Sequence, residues 1–234
     1  MSDAALNLYD RLNDYGDIDT LINDGATEHL YLECKTSRGD SVNQGTQAEI
    51  AKALSGFGNS EGGVVIFGVN TDPDSHSGYD VLAQVSRIPN VDKFRLNMQS
   101  IIPELTTPAL QGTRSKVLKK KPEDSAGICL LYIPQHVGDP LRTASGQQQF
   151  YLRAEKGHIK LPYSLIRSMF ASTQGPDLFV TIPKPLCKRS DSGEWTVAFS
   201  VANLSSAVAR DAAAMIDMAS IENGKVVSGS RGFL

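Results

Sequence analysis

The chain has 234 residues, 41% of them hydrophobic and 21% charged, with a formal net charge of −3. That composition supports one good core plus a smaller appendage, and it excludes a collagen, a disulfide scaffold and a wholly disordered chain. No apolar run approaches the roughly 20 residues of a membrane helix, the N-terminus lacks the basic and apolar regions of a secretion signal, and Cys34, Cys129 and Cys187 make no metal or redox spacing, so a reducing, cytoplasmic setting is expected.

The net charge hides an asymmetry. Residues 1–33 carry eight acids against Arg11 alone, so the rest of the chain is net positive. Its densest basic run is Arg114, Lys116, Lys119, Lys120 and Lys121. Such a run is a solvated loop unless a chemical site lies beside it.

In chain order, Leu6, Leu8, Leu12, Ile18, Leu21 and Ile22 predict a helix over 4–24, capped at Asn23-Asp24-Gly25. A strand is expected at His29–Lys35, with Leu30, Leu32 and Cys34 alternating with Tyr31, Glu33 and Lys35. A helix then opens on a capping box of Thr46 and Glu49, with Ile50, Ala53, Leu54 and Phe57 as its apolar stripe. Gly62-Gly63 introduce an unbroken apolar strand, Val64–Val69, which reads as central in its sheet, and a turn follows at Asn70–Gly78. Beyond it come a helix at about Val91–Ile102, a strand near Ala109–Leu118, strands at Gly127–Pro134 and Gln149–Arg153, and a helix at Pro162–Ser172.

Gly175-Pro176 marks the expected domain boundary, giving domains of 1–174 and 177–234. The second has only about four alternating stretches, fewer than a full sandwich requires. The expected fold is α+β: a mixed sheet flanked by helices, then a small β-rich, sandwich-like piece.

The chemistry concentrates at Glu28–Lys35. On a strand, Glu33 and Lys35 share a face and Cys34 opposes them. Carboxylate and ammonium together suit phosphodiester chemistry, the acid on a divalent cation and the lysine on developing charge. The plain alternative is a cross-face ion pair. Glu28 lies at the strand entry and Asp72 just beyond the central strand, so three carboxylates with Lys35 would suit Mg²⁺ or Mn²⁺. No GxxxxGK[ST] is present, hence no ATP site by motif. His29, His76, His136 and His158 stand in unrelated contexts and read as surface residues.

Taken in order, ECK (33–35), ALSGFGNS (53–60), EGGVVIFGVNTD (61–72) and QFYLRAEKGHIKLPYSLIRSMF (149–170) resemble the Schlafen family core, called AlbA_2 in prokaryotes. The resemblance spans about residues 15–172, with Cys34 in place of the family's aromatic. It implies a nucleic-acid-binding module and, by analogy with some members, a metal-dependent endoribonuclease acting on tRNA-like or single-stranded substrates. By position Glu28, Glu33 and Asp72 match the family's acidic triad, with Lys35 beside them. Phosphate contacts are expected from Arg153 and Lys156, which match the family pattern, and from Arg142, Lys160 and the 114–121 cluster. The alternatives are a non-catalytic DNA- or RNA-binding regulatory module, or a sensor in a prokaryotic defence system whose C-terminal piece meets a protein partner. A homodimer would complete a two-lobed clamp; no membrane partner is expected.

Overall fold

The computed structural model describes residues 3–36, 39–74 and 78–173, then Asp191 and six strand segments between 178 and 233. The chain divides into two compact units, 1–170 and 171–234. His76 and the expected boundary at Gly175-Pro176 lie outside the described residues.

The first unit begins with two helices, α1 (Ala4–Arg11) and α2 (Tyr15–Asn23), not the single helix that its apolar spacing predicted. The break is written in capping chemistry. Asp14 accepts from the Asp17 N–H while the Asp17 carboxylate accepts from the Asp14 N–H, a reciprocal box that starts a new helix. Strand β1 is shorter than expected, Leu32–Lys35, and is followed by α3 (Gln44–Gly58) and β2 (Gly63–Phe67). Helix α3 starts two residues before Thr46, because Asn43 is its N-cap and accepts from the Thr46 N–H at 3.0 Å.

β1 and β2 are parallel, with Glu33 opposite Val65 and Lys35 opposite Phe67. The crossover through α3 makes that possible, since parallel neighbours cannot be joined by a tight turn. Two strands from later in the chain, β6 (Arg114–Lys119) and β7 (Gly127–Ile133), complete a mixed sheet in the order β1-β2-β7-β6. Every residue of β2 and β7 is buried, as their unbroken apolar runs required. Between these elements lie β3 (Val69–Pro73), β4 (Asp80–Val85), α4 (Val91–Ile101) and the short β5 (Thr106–Thr107). After β7 come β8 (Arg142–Thr143), β9 (Tyr151–Ala154), β10 (Gly157–Lys160) and α5 (Tyr163–Thr173). The expected turn after β2 is in part a strand: β3 runs to Pro73 and pairs antiparallel with β4.

Each sheet face has its own core. Val65, Phe67, Leu131 and Ile133 face α3 and α4, meeting Ile50, Leu54, Phe57, Phe94 and Met98. Val64, Ile66, Leu130 and Tyr132 face α1 and α2, meeting Ala5, Tyr9, Leu12 and Ile18. The period of two therefore puts Leu32 and Cys34 on the α1–α2 side and turns Glu33 and Lys35 toward α3.

The second unit is described as antiparallel pairs: 178–181 with 200–203, 187–189 with 195–197, and 215–222 with 225–233. Together the two units make an α+β chain, a mixed sheet flanked by helices followed by small β pieces. Among the described residues, no helix is long and apolar enough to cross a membrane.

Gly63 sets the approach of α3 to the sheet: a methyl group there would lie 2.1 Å from the Phe57 ring. Gly63→Ala is expected to destabilise the protein by about 1–3 kcal/mol through overpacking, read as a lower urea midpoint with unchanged slope. An unchanged midpoint would mean that Phe57 moves aside freely.

Candidate functional site: a buried carboxylate held by three bases

Glu33 is 5% exposed, although it is an acid on a strand. Isolated burial would cost several kcal/mol, so the site must supply opposite charge and hydrogen bonds. It does so from three directions. Lys35 Nζ is 2.5 Å from Oε1, Arg153 Nη1 is 3.0 Å from Oε2, and His158 Nε2 also bonds Oε2. The Arg153 guanidinium is engaged on every nitrogen: besides Nη1, Nη2 donates to the carbonyls of Leu32 at 2.8 Å and His29 at 2.9 Å, Nε donates to the same His29 carbonyl at 3.3 Å, and the group lies 5.1 Å from the Phe57 ring centroid.

Arg153 and His158 arrive together because they are cross-strand partners in the β9–β10 hairpin. Side chains directly opposite on one face of an antiparallel pair stay close enough to bind one group. The hairpin is fastened by the end of α3, residues 55–60. Ser55 Oγ accepts from the Tyr151 N–H at 3.0 Å, Asn59 Nδ2 donates to the Tyr151 carbonyl at 3.0 Å, and Ser60 Oγ accepts from the Arg153 N–H at 3.0 Å. Asn59 also closes both backbone groups of Leu141, accepting from its N–H at 2.6 Å and donating to its carbonyl at 2.8 Å. Gly56 leaves room for the imidazole, since a Cβ there would stand 1.9 Å from His158 Nδ1.

The electrostatics follow from the contacts. Burial pushes the Glu33 carboxyl up, but the hydrogen bond to His158, the charge that His158 carries once acid has protonated it, and the Lys35 ammonium outweigh burial and hold the group at about 2. Burial works against the Lys35 charge, yet Glu33 raises its pKa above the ordinary lysine value. For His158 burial wins over Glu33, so its pKa lies below 6.5 and the neutral ring donates through Nε2.

The remaining expected residues have distinct placements. Glu28 stands at the entry to β1, where Oε1 accepts from the Cys34 N–H at 2.7 Å. Its pKa is raised, first by burial and further by Glu33, against the pull of that N–H. Asp72 is exposed on β3 opposite Val81, which bridges in turn to Thr27. Among the described residues, no three His, Cys, Asp or Glu side chains are grouped as a metal ion would need. The donor set does not fit a divalent cation as it stands, because the Glu33 oxygens already serve two permanent cations and a histidine.

The basic run does not form one surface. Arg114 lies 6.0 Å from the Tyr132 ring, and Lys116 Nζ donates to the Tyr9 carbonyl at 2.6 Å, both on the α1 side. Lys119 pairs with Asp92 of α4 at 2.7 Å on the opposite side, and Lys120 and Lys121 are exposed in the turn. Arg142 is half-buried in β8, while Lys156 and Lys160 are exposed on the hairpin. Arg153, expected to contact phosphate, points inward to Glu33 with its side chain 1% exposed, and His158, expected at the surface, is an interior partner with its side chain only 2% exposed. A signal for the second was available in AEKGH (154–158), where Gly157 in a tight turn puts His158 across from Arg153.

Acid should loosen this cluster in two steps. Below pH 6.5 the unfolded chain protonates His158 while the folded one resists, and below about 4.5 the unfolded chain protonates Glu33, whose folded value is about 2. Stability therefore falls below pH 6.5 and more steeply below 4.5. Glu33→Gln should cost about 3–5 kcal/mol at pH 7 by stranding Arg153, and should flatten the dependence between pH 4.5 and 2. Urea titrations at several pH values check both; a variant as stable as the wild type at pH 7 would refute the brace.

No curated protein matches the chain. Among solved structures, the N-terminal domain of an ATP-dependent DNA helicase RecG-related protein from Nitrosomonas europaea is similar at 16% identity and a TM-score of 0.42, covering 64% of this chain and 96% of that one. The DIP2311 protein from Corynebacterium diphtheriae is similar at 11% identity and a TM-score of 0.37, covering 78% of this chain and only 36% of that one. The family model for Schlafen, AlbA_2 matches residues 28–162. That span is more than half of the chain and contains Glu33, Lys35, Arg153 and His158 together, and by it the chain belongs to the Schlafen, AlbA_2 family.

Proposed function

We propose that the chain is a nucleic-acid-binding module in which Glu33 braces the fold and does not serve as the centre of a cleavage site. Membership of the Schlafen, AlbA_2 family supports nucleic acid as the ligand class. The observation that carries the non-catalytic reading is the triple engagement of Glu33 by Lys35, Arg153 and His158. A carboxylate held at about 2 by three bases is a poor proton acceptor at neutral pH and has little lone-pair capacity for another ligand. Exposed Lys120, Lys121, Lys156 and Lys160 supply phosphate contacts, which carry affinity without sequence readout.

A nuclease reading, with RNA favoured over DNA, has one observation on its side: Glu28 is close enough to Glu33 to feel its charge. It also requires Glu33 to give up Arg153 and His158, and Asp72 to leave the exposed face of β3.

Purified protein is mixed with tRNA, single-stranded DNA and duplex DNA in Mg²⁺, Mn²⁺ or EDTA, then run on native and denaturing gels. The expected result is a shifted band with intact nucleic acid in all three conditions, weakening linearly in log–log with salt. Products that need metal and vanish in Asp72→Asn, an exposed change the fold tolerates, would overturn the binding-only reading in favour of the nuclease.

A further inference from the structure

The outer side of α3 and the start of the hairpin enclose a cleft of about 300 Å³. Its α3 wall is Ala48, Glu49, Ala51 and Lys52, with Ala48 and Lys52 one turn apart, and the two small alanines keep that wall low. The opposite wall is Tyr151, with Gln149 and Gln147 toward the loop. The Tyr151 backbone is anchored to α3, its N–H bonded to Ser55 and its carbonyl to Asn59, so the helix fixes the point from which the ring projects.

Charge is arranged around that ring. Lys52 Nζ lies over the Tyr151 ring, 5.7 Å from its centroid, so a base would take the other face or displace this flexible side chain. Lys160 is the cross-strand partner of Tyr151, and its Nζ donates to Gln147 Oε1 at 2.9 Å, at the loop end of the cleft. Both lysines are exposed. The acid of the cleft, Glu49, lies on the side where its field reaches Lys35. An aromatic ring on an anchored strand, with two exposed ammonium groups near it and side-chain amides beside it, matches what an unpaired nucleotide needs: a surface for the base and cations for the neighbouring phosphates. A base inside a duplex is stacked and cannot enter.

We infer that this cleft seats one unpaired base of a single-stranded nucleic acid against Tyr151, with Lys52 and Lys160 on the flanking phosphates. The inference rests on the nucleic-acid-binding reading and narrows it to single strands or loops. Glutamine amides at the edge tolerate any base, so little sequence preference is expected.

Fluorescence anisotropy tests it with labelled 12-nucleotide oligo(U), oligo(dT) and a duplex of equal length, using the full chain in EDTA. Tyr151→Leu should bind the single strands about tenfold more weakly and leave duplex binding unchanged, while Tyr151→Phe should bind like the wild type. Lys52→Met and Lys160→Met should each reduce the magnitude of the single-strand salt slope by about 0.7. Circular dichroism and melting confirm that each variant is folded. If wild type binds single strands and Tyr151→Leu binds them equally well, the cleft is not the site, although the binding module stands. If wild type binds none of the three probes, the binding reading and the cleft fall together.

Discussion

A carboxylate has been placed where a carboxylate is least welcome, and much of the first unit is arranged to keep it charged. Glu33 faces the α3 side of the sheet, where its neighbours in β2 are Val65 and Phe67. With Lys35, Arg153 and Glu28 around it, the cluster holds two acids and two permanent cations, so no large uncompensated charge is buried. The neutral His158 adds a hydrogen bond without adding charge. Replacing the set by apolar residues of equal volume would cost the fold little or nothing. The set does specify register: shifting β9 by one residue would turn Arg153 away from Glu33 and expose its guanidinium.

The second dependency is of a weak element on a strong one. A two-stranded hairpin such as β9–β10 has no core of its own and is marginal in isolation. Most of its residues are only half-buried. Its place is secured by Ser55, Asn59 and Ser60, from the last turn of a helix whose other face is the main core. One six-residue stretch thus serves packing through Phe57, clearance through Gly56 and Gly58, and hydrogen bonding through its three polar residues. Because the same bonds hold the Tyr151 backbone, the strand that carries one wall of the outer cleft is anchored to the helix behind it.

What could be read from the sequence was local and periodic. The period of two put Glu33 and Lys35 on one face and Cys34 on the other, and unbroken apolar runs located β2 and β7. The same rule, applied to Arg114–Lys119, would have divided the basic run, since residues 114 and 116 face opposite to 119. The N-terminal helix was misjudged because apolar spacing continues through the break, while Asp14 and Asp17 end one helix and begin another. Arg153 and His158 were hidden for a different reason. Their partner lies 120 and 125 residues earlier, and no window of sequence contains such a pairing.

The acidity of the first residues has a similarly local cause. Asp3 caps α1 and accepts from the Tyr132 hydroxyl at 2.5 Å, and Asp14 and Asp17 cap α2. Glu28 and Glu33 are spent on the Cys34 N–H and on the brace. Five of the eight acids therefore report helix starts and a buried cluster, while Asp10, Asp19 and Asp24 are exposed. The basic side is reduced in the same way, with Lys116, Lys119, Lys35 and Arg153 all engaged inside the fold. Among the described residues, exposed cations lie on separate elements, such as Lys52 on α3, Lys120 and Lys121 in the turn after β6, and Lys156 and Lys160 on the hairpin, and the phosphate contacts they offer weaken with salt. Affinity that persists in salt has to come from a contact that salt does not screen. Stacking on an aromatic ring is such a contact, and it is open to a base only where the strand is unpaired. In the reading proposed above, then, it is stacking on Tyr151, and not the charge distribution, that would favour single strands over duplexes.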